Sequence, residues 1–446
     1  MTPRTSLTRS GPTRSGPTRP AGLTAAQGTA MYVGAVLGTG VIALPALAAE
    51  VAGPASLVAW LALIVISVPL AATFAALGAR YPDAGGVSTY ARLAFGKRAA
   101  TVVGWCFFLA VPPGAAAAAL FGGAYVASAF GGGRTTVAVT AVGLMVAVTA
   151  ANTAGVRVSG RLQFVLAGLL AALLLVSVAL ALPHARAGNL EPFAPHGWAA
   201  VGPAAALLVW CIAGWEAITH LAGEFRRPER DLPRSAGAAV VVVGVLYLSV
   251  AFAVVAVLGA AAGGSEAPLA DLMALGMGDG ARWFAAAAAL MLTAGAMNVY
   301  YAGAAKLGAA LGRDGSLPRV LARGSVSGEV PRRGLGVVAG GALAALLTVV
   351  ALDVGARPLV LLATGSFVTV YAIGVAAAIR LLPRGSRGRA AALVSLGAVL
   401  LLLVMSGPYL LWPLVVTGAA LLYLRLSGGR AAPTAGGEEV ERAVTG

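Results

Sequence analysis

The sequence predicts an all-helical protein that crosses a membrane many times. Of its 446 residues, 59% are hydrophobic and only 11% are charged, whereas a soluble protein has about a quarter of its residues charged. Apolar runs of roughly 20 residues recur along the chain, which is the length needed to cross about 30 Å of hydrocarbon. The runs do not alternate with a period of two residues, so they do not predict a β-barrel.

Twelve of these runs are predicted to be transmembrane spans. The tail 1–25 contains Ser-Gly-Pro-Thr-Arg twice and no apolar stretch, so it is predicted to be disordered and not a cleavable signal. A second polar tail covers residues 427–446. In chain order, spans 1 to 12 are expected near residues 26–48, 55–78, 99–130, 135–152, 162–182, 200–222, 236–261, 283–311, 335–352, 358–379, 390–406 and 408–426.

Span 3 is unusually long and contains Pro112 and Pro113, so two shorter helices are an alternative there. Two helices would reverse the side of every later loop and place the basic loops outside. Because basic loops are characteristic of the cytoplasmic side, one long helix is the preferred interpretation.

The basic residues are distributed unevenly between the two sides of the predicted membrane domain. The chain carries 31 Lys and Arg residues and a net charge of +15. If it starts in the cytoplasm, the loops on the opposite side contain only Arg134, Arg186, Arg282 and Arg357. This asymmetry predicts a cell-membrane protein with both termini in the cytoplasm. It also accounts for the positive charge without a nucleic-acid partner.

Two of the predicted spans contain interruptions. Gly38-Thr39-Gly40 lies in the middle of span 1, and Ala213-Gly214 lies in the middle of span 6. Non-helical backbone at membrane depth is tolerated where it lines a cavity. The alternative for span 1 is a helix-packing face formed by Gly34 and Gly38.

The two interrupted spans are five spans apart, which is the offset of a five-plus-five inverted repeat. The repeats would cover residues 26–182 and 200–383, with spans 11 and 12 (390–426) outside them. Paired interruptions in two halves are typical of a transporter site at the membrane midplane. One broken end offers N–H groups for a carboxylate and the other offers carbonyl groups for an ammonium, so an amino acid is the expected substrate.

Ionisable side chains inside the spans are the candidates for proton coupling. A carboxyl group in a membrane segment usually marks an ion or substrate path, and burial favours its neutral form, so Glu216 is the predicted titrating group. The alternative is that Glu216 braces the helix break, either protonated or hydrogen-bonded to backbone near span 1. His220 lies one turn further on the same face and is either a proton relay or a hydrogen-bonded interior residue. Lys306 is close enough to a span end to extend to the surface.

A membrane enzyme is the alternative from another functional class. The sequence contains no His-Glu-x-x-His, Gly-x-Ser-x-Gly or P-loop motif. Cys106 and Cys211 both fall inside spans and lack the spacing of a disulfide framework or zinc site. The sequence therefore predicts no catalytic residue, metal site or cofactor, and it leaves the oligomeric state open.

Five motifs stand out in the sequence. They are Gly-Thr-Gly-Val-Ile-Ala-Leu-Pro (38–45), Tyr-Pro-Asp-Ala-Gly-Gly (81–86), Gly-Trp-Glu (214–216), Glu-Phe-Arg-Arg-Pro-Glu-Arg-Asp-Leu-Pro (224–233) and Arg-Asp-Gly-Ser-Leu-Pro (313–318). These motifs resemble those of the amino acid–polyamine–organocation permeases, and the resemblance covers roughly residues 23–425. The segment 224–233 is the most specific of them, and segments 37–41, 81–87 and 216–225 most resemble the bacterial exporters of L-methionine and branched-chain amino acids.

The resemblance implies a LeuT-like fold, with a ten-helix inverted-repeat core and two further helices. It also implies proton-coupled efflux of methionine, leucine, isoleucine and valine by alternating access. Uptake or exchange of other amino acids or amines is the alternative, because direction follows from gradients and relative affinities.

The segment Arg226–Arg234 is most simply a solvated surface, and its alternative role is a conformational latch.

The resemblance also implies positions for the substrate. The carboxylate would lie near Gly38, Thr39 and Gly40, and the ammonium would meet carbonyl groups around Cys211, Ile212 and Ala213. Gly214 belongs to the same break. Trp210 and Trp215 are candidates for the side-chain pocket or a gate, with packing in the span as the alternative.

Overall fold

The computed structural model describes residues 23–82, 86–155, 160–216, 219, 222, 225–323 and 330–427. This part of the chain is almost entirely helical and contains no β-strand; one isolated parallel bridge joins Leu23 and Phe225. In it, nine helical stretches are long and apolar enough to cross a membrane, and three further apolar helices are shorter. The chain is therefore an integral membrane protein, and the total of twelve spans stays a prediction.

The α-helices are numbered in chain order, and short 3-10 turns connect several of them. They are α1 (Ala25–Val36), α2 (Gly40–Ala52), α3 (Ser56–Arg80), α4 (Val87–Phe95), α5 (Lys97–Phe130), α6 (Gly133–Thr153), α7 (Gly160–Ala181), α8 (Val201–Leu208), α9 (Pro228–Leu258), α10 (Pro268–Met277), α11 (Ala281–Arg313), α12 (Arg332–Ala351), α13 (Arg357–Leu381), α14 (Arg387–Met405) and α15 (Leu411–Ser427).

The interruption predicted in span 1 is confirmed, because α1 and α2 are separate helices with residues 37–39 between them. A capping box fixes the start of α1: Thr24 accepts a hydrogen bond from the Gln27 backbone, and the Gln27 side chain accepts one from the Thr24 backbone. Span 6 is also interrupted, since α8 passes into a 3-10 turn over Val209–Ile212 and residues 213–216 then form a turn.

Helix α5 is the central element of the packing. It is one continuous helix of 34 residues, as expected for span 3, and it includes Pro112 and Pro113. At 1.5 Å per residue it is about 50 Å long. It contacts α4, α6, α11, α12, α13 and α15, so the small residues on its middle turns face several other helices.

The structure contains helices where the sequence predicted loops. Helix α4 buries Val87, Tyr90, Ala91 and Ala94, which is the spacing of one helix face. Helix α10 has 10 residues, so at about 15 Å it is too short to cross a membrane. The segment Arg226–Arg234 is also mostly helical, because α9 begins at Pro228, a residue suited to the first helical position.

Contacts between loops define the two ends of the helical bundle. At one end, Lys97 Nζ donates to the carbonyl oxygen of Asp314 over 3.3 Å. This hydrogen bond joins the start of α5 to the end of α11. At the other end, Arg282 Nη1 lies 2.5 Å from Asp271 Oδ1, and Arg134 pairs with Asp353. The partners in each contact lie in regions that the sequence predicts on the same side of the membrane; which side is cytoplasmic stays a prediction.

The ion pair between Arg282 and Asp271 is expected to stabilise the fold more than the pair between Arg134 and Asp353. The former side chains are 27% and 28% exposed, and the latter 80% and 66%. Arg282→Ala would leave a partly buried carboxylate without its partner, at a cost of about 1 kcal/mol. Thermal unfolding in detergent should therefore show a lower Tm for Arg282→Ala than for Arg134→Ala. Equal Tm values for the two variants would contradict this expectation.

Candidate functional site

A cavity of about 250 Å³ lies between the two helix interruptions. The backbone segments on both sides of it come from the breaks in span 1 and span 6. The middle turns of α5 and α11 form much of the remaining wall. The residues at the breaks that line it include Leu37, Gly38, Thr39, Gly40, Cys211, Ala213 and Gly214.

The first break presents the beginning of α2 to the cavity. The Gly38 N–H donates to the carbonyl oxygen of Val36 over 2.7 Å, so the chain tightens after α1 instead of continuing the helix. Thr39 precedes α2 without a capping hydrogen bond from its side chain. The first N–H groups of a helix have no partner within it, so this end of α2 carries partial positive charge.

Gly214 allows the second break to approach the first. Its φ of +130° lies in a region that side chains with a Cβ rarely adopt. A Cβ at this position would also lie 2.8 Å from the carbonyl oxygen of Ala35. Both the conformation and the close approach therefore require glycine.

Tyr247 of α9 connects the two breaks through one hydroxyl group. This hydroxyl lies 2.7 Å from the carbonyl oxygen of Val36 and 3.1 Å from that of Cys211. Its ring packs edge-on against Trp60, with 5.3 Å between ring centroids. Tyr247 thus supplies a donor to backbone acceptors at the ends of both helical segments.

Glu216 lines the cavity and also braces the second break. Its side chain is buried, with 6% of the residue exposed. The carboxyl Oε2 accepts hydrogen bonds from the Gly214 N–H over 3.0 Å and from the Tyr371 hydroxyl over 2.5 Å. The same Tyr371 hydroxyl lies 2.9 Å from the carbonyl oxygen of Ile212. These hydrogen bonds brace the second break. A contact of Glu216 with the backbone near span 1 and its proton-coupling role both stay predictions.

Two residues of the expected substrate set lie away from the cavity. Ile212 does not line it, and its carbonyl faces Tyr371. Trp215 is fully buried outside it; the indole N–H donates to Ser67 Oγ over 3.3 Å, and the ring packs against Tyr32. Trp215 thus matches the packing alternative. His220, the second proton candidate, lies outside the described residues.

Other residues singled out from the sequence also have defined positions. Trp210 lines the cavity and packs its ring edge-on against Phe121, with 6.5 Å between centroids. Lys306 is exposed and is not among the lining residues. Cys106 and Cys211 are both buried free thiols.

The sequence did not identify Tyr247 and Tyr371 as site residues. Both are single tyrosines in apolar spans, where an aromatic residue is usually part of the core or of a membrane interface. Neither lies next to an interruption in the sequence. Their role follows only from the packing of α9 and α13 against the second break.

Comparison with known sequences places the chain among transporters. A family described as "Amino acid permease" matches residues 23–426. The uncharacterized amino acid permease YecA of Bacillus subtilis is 33% identical over 91% of this chain and 96% of its own length. The L-methionine/branched-chain amino acid exporter YjeH of Escherichia coli is 34% identical over 90% of this chain and 95% of its own. The branched-chain amino acid permease BcaP of Bacillus subtilis is 25% identical over 50% of this chain and 52% of its own length.

The match extends over both helix interruptions and the cavity between them, and two of these relatives are covered almost in full. The chain belongs to the amino acid permease family.

Proposed function

We propose that this permease exports neutral apolar amino acids by alternating access, driven by protons that bind at Glu216. The observation that carries the proposal is the composition of the cavity between the two breaks. Among its described lining residues, Glu216 is the only Asp, Glu, Lys, Arg or His. The volume of about 250 Å³ is just below the range of about 300–1,000 Å³ for drug-sized ligands, as a small amino acid requires.

The backbone at the breaks provides complementary groups for an amino acid zwitterion. The start of α2 at Thr39 and Gly40 offers N–H groups and partial positive charge to the carboxylate. The ammonium would meet carbonyl groups around Cys211 and Ala213. The Cys211 carbonyl already faces Tyr247, but a carbonyl oxygen has two lone pairs, so it can accept a second hydrogen bond.

The rest of the lining favours an apolar substrate side chain. A cationic side chain would need its own negative partner in this low-dielectric space, and the single carboxyl group is already engaged with the second break. The names of YjeH and BcaP include branched-chain amino acids, which supports the same substrate class. The apolar side chains that line the cavity include Val111, Leu170, Trp210, Leu292, Met297 and Phe367.

Glu216 is suited to couple protonation to the shape of the second break. The ionised carboxylate is a strong acceptor for the Gly214 N–H and the Tyr371 hydroxyl. Protonation removes the charge and weakens these two hydrogen bonds. The break is then held less firmly in its present geometry, which is the differential interaction that a coupled conformational change requires.

We extend the proposal to the architecture. The helices form twelve spans, with inverted repeats at 26–182 and 200–383 and both termini in the cytoplasm. The interruptions of spans 1 and 6 support the repeat, and the distribution of basic residues supports the orientation. Export is preferred over uptake because the name of YjeH, similar over nearly the full chain, states export.

Flux measurements in membrane vesicles test the proposed function directly. Labelled methionine, leucine and arginine would be followed in inside-out and right-side-out vesicles, with and without a pH gradient. We expect methionine and leucine, but not arginine, to move in the direction equivalent to efflux, and faster with the gradient. Vesicles without the protein are the control. No pH-dependent flux of any amino acid would contradict the proposal and leave the fold unaffected.

Glu216→Gln should separate proton coupling from substrate translocation. Glutamine retains an acceptor oxygen for the Gly214 N–H but cannot exchange a proton. We expect stimulation by the pH gradient to disappear while exchange of labelled for unlabelled leucine persists. Glu50→Gln is the matched control, because Glu50 is an exposed carboxyl of α2, and it should behave as the unaltered protein. Full gradient stimulation in Glu216→Gln would show that another group carries the proton.

Gly214→Ala should disturb both stability and transport. The added Cβ would require a strained φ and would meet the Ala35 carbonyl, at a cost of about 1–3 kcal/mol. Gly303→Ala on α11 is the control, because its Cβ would have no atom within 4 Å. We expect a lower Tm in detergent and lower leucine exchange for Gly214→Ala alone. Equal values for both variants would mean that the close approach of the breaks is unimportant.

A further inference from the structure

A second pocket, distinct from the central cavity, lies where α1 and α9 begin. Its volume is about 440 Å³. Arginine is its most frequent lining residue, and we refer to it as the arginine pocket. Its described lining residues are Thr24, Ala25, Arg226, Arg227, Arg230, Asp231 and Arg234.

Helical spacing places Arg230 and Arg234 of α9 on one side, because residues four positions apart are neighbours on a helix surface. Arg227 lies directly before the first residue of α9. All three side chains are exposed, whereas Asp231 is buried and its carboxylate lies 3.6 Å from Arg227. Among the described lining residues, one carboxylate thus faces four guanidinium groups, and the pocket carries a positive charge.

The pocket joins the start of α1, which precedes the first break, to the start of α9, which follows the second break. The Arg226 N–H donates to the carbonyl oxygen of Leu23 over 3.1 Å, and Ser235 Oγ donates to that of Ala25 over 2.8 Å. The first turn of α1 is therefore fixed against the first turns of α9. A ligand in the pocket would contact both helices at once and stabilise this arrangement.

We propose that the arginine pocket binds a phosphate-bearing anion, supplied by the headgroup of an anionic lipid or by soluble phosphate. Guanidinium groups match phosphate oxygens with paired hydrogen bonds. The N-terminal ends of α1 and α9 add partial positive charge. Basic pockets next to transmembrane helices are typical sites for anionic headgroups. Because binding is measured without transport, this proposal can fail independently of the proposed function.

Thermal unfolding of the purified full chain in neutral detergent tests the proposal. The additions are phosphatidylglycerol, phosphatidylcholine, inorganic phosphate, and sodium chloride at matched ionic strength. A ligand that binds the folded state raises Tm by mass action. We expect phosphatidylglycerol, inorganic phosphate or both to raise Tm in a saturable way, and phosphatidylcholine and sodium chloride to leave it unchanged.

Two double variants test whether the anion that raises Tm binds at the arginine pocket. Each arginine near an anionic surface contributes roughly fivefold to affinity. Because Arg230→Gln/Arg234→Gln removes two of them, it should raise the half-saturating concentration of the anion about 25-fold. Arg384→Gln/Arg387→Gln removes the same charge from two exposed positions, one between α13 and α14 and one at the first residue of α14, and should leave the half-saturating concentration unchanged. If the first double variant does not fold, Arg230→Gln alone should give roughly a fivefold increase.

The outcomes distinguish the two sources and define failure. A shift with phosphatidylglycerol alone identifies a lipid headgroup, and a comparable shift with inorganic phosphate identifies a soluble anion. Either supports the proposal if it weakens in the Arg230 variants. No shift with either anion, or equal weakening by the two double variants, would overturn it.

Discussion

Inside a membrane, a backbone group that leaves its helix must find another hydrogen-bond partner, because hydrocarbon provides none and each unpaired group costs several kcal/mol. The two interruptions create such groups in the middle of the bundle. Two tyrosine hydroxyls provide donors for them. The Tyr247 hydroxyl can donate to the carbonyl of Val36 or of Cys211, and the Tyr371 hydroxyl to the carbonyl of Ile212 or the carboxyl of Glu216. The interruptions depend on these contacts for their stability.

The same contacts hold the two breaks together in a way that permits rearrangement. Tyr247 touches both breaks, and Gly214 brings its backbone close to Ala35. A typical hydrogen bond contributes about 0.5–1.5 kcal/mol net, so exchanging a few of them is compatible with a reversible conformational change. In the proposed transport cycle, the substrate zwitterion and the proton at Glu216 act on this small set of interactions.

Charge is arranged in the structure according to the cost of burying it. Ion pairs such as Arg92–Asp314 and Arg134–Asp353 lie at the ends of the bundle, where water is near. Glu216 lies at the cavity, where two donors stabilise its carboxyl group. A charged group inside the membrane is costly, and these hydrogen bonds offset part of that cost. The arginine pocket follows the same rule, because its exposed charges lie where helices begin.

The sequence by itself determined the helical membrane class, the single long helix α5 and the two interruptions, because hydropathy, glycine and proline act over short stretches of chain. It also identified Glu216 as a lone carboxyl in an apolar span. Only the tertiary structure decided which side chains meet. Tyr247 and Tyr371 reach the breaks from helices that are distant in the chain, Trp215 packs away from the cavity, and α4 and α10 form where loops were predicted. Such outcomes depend on long-range packing, and the local pattern of residues does not contain that information.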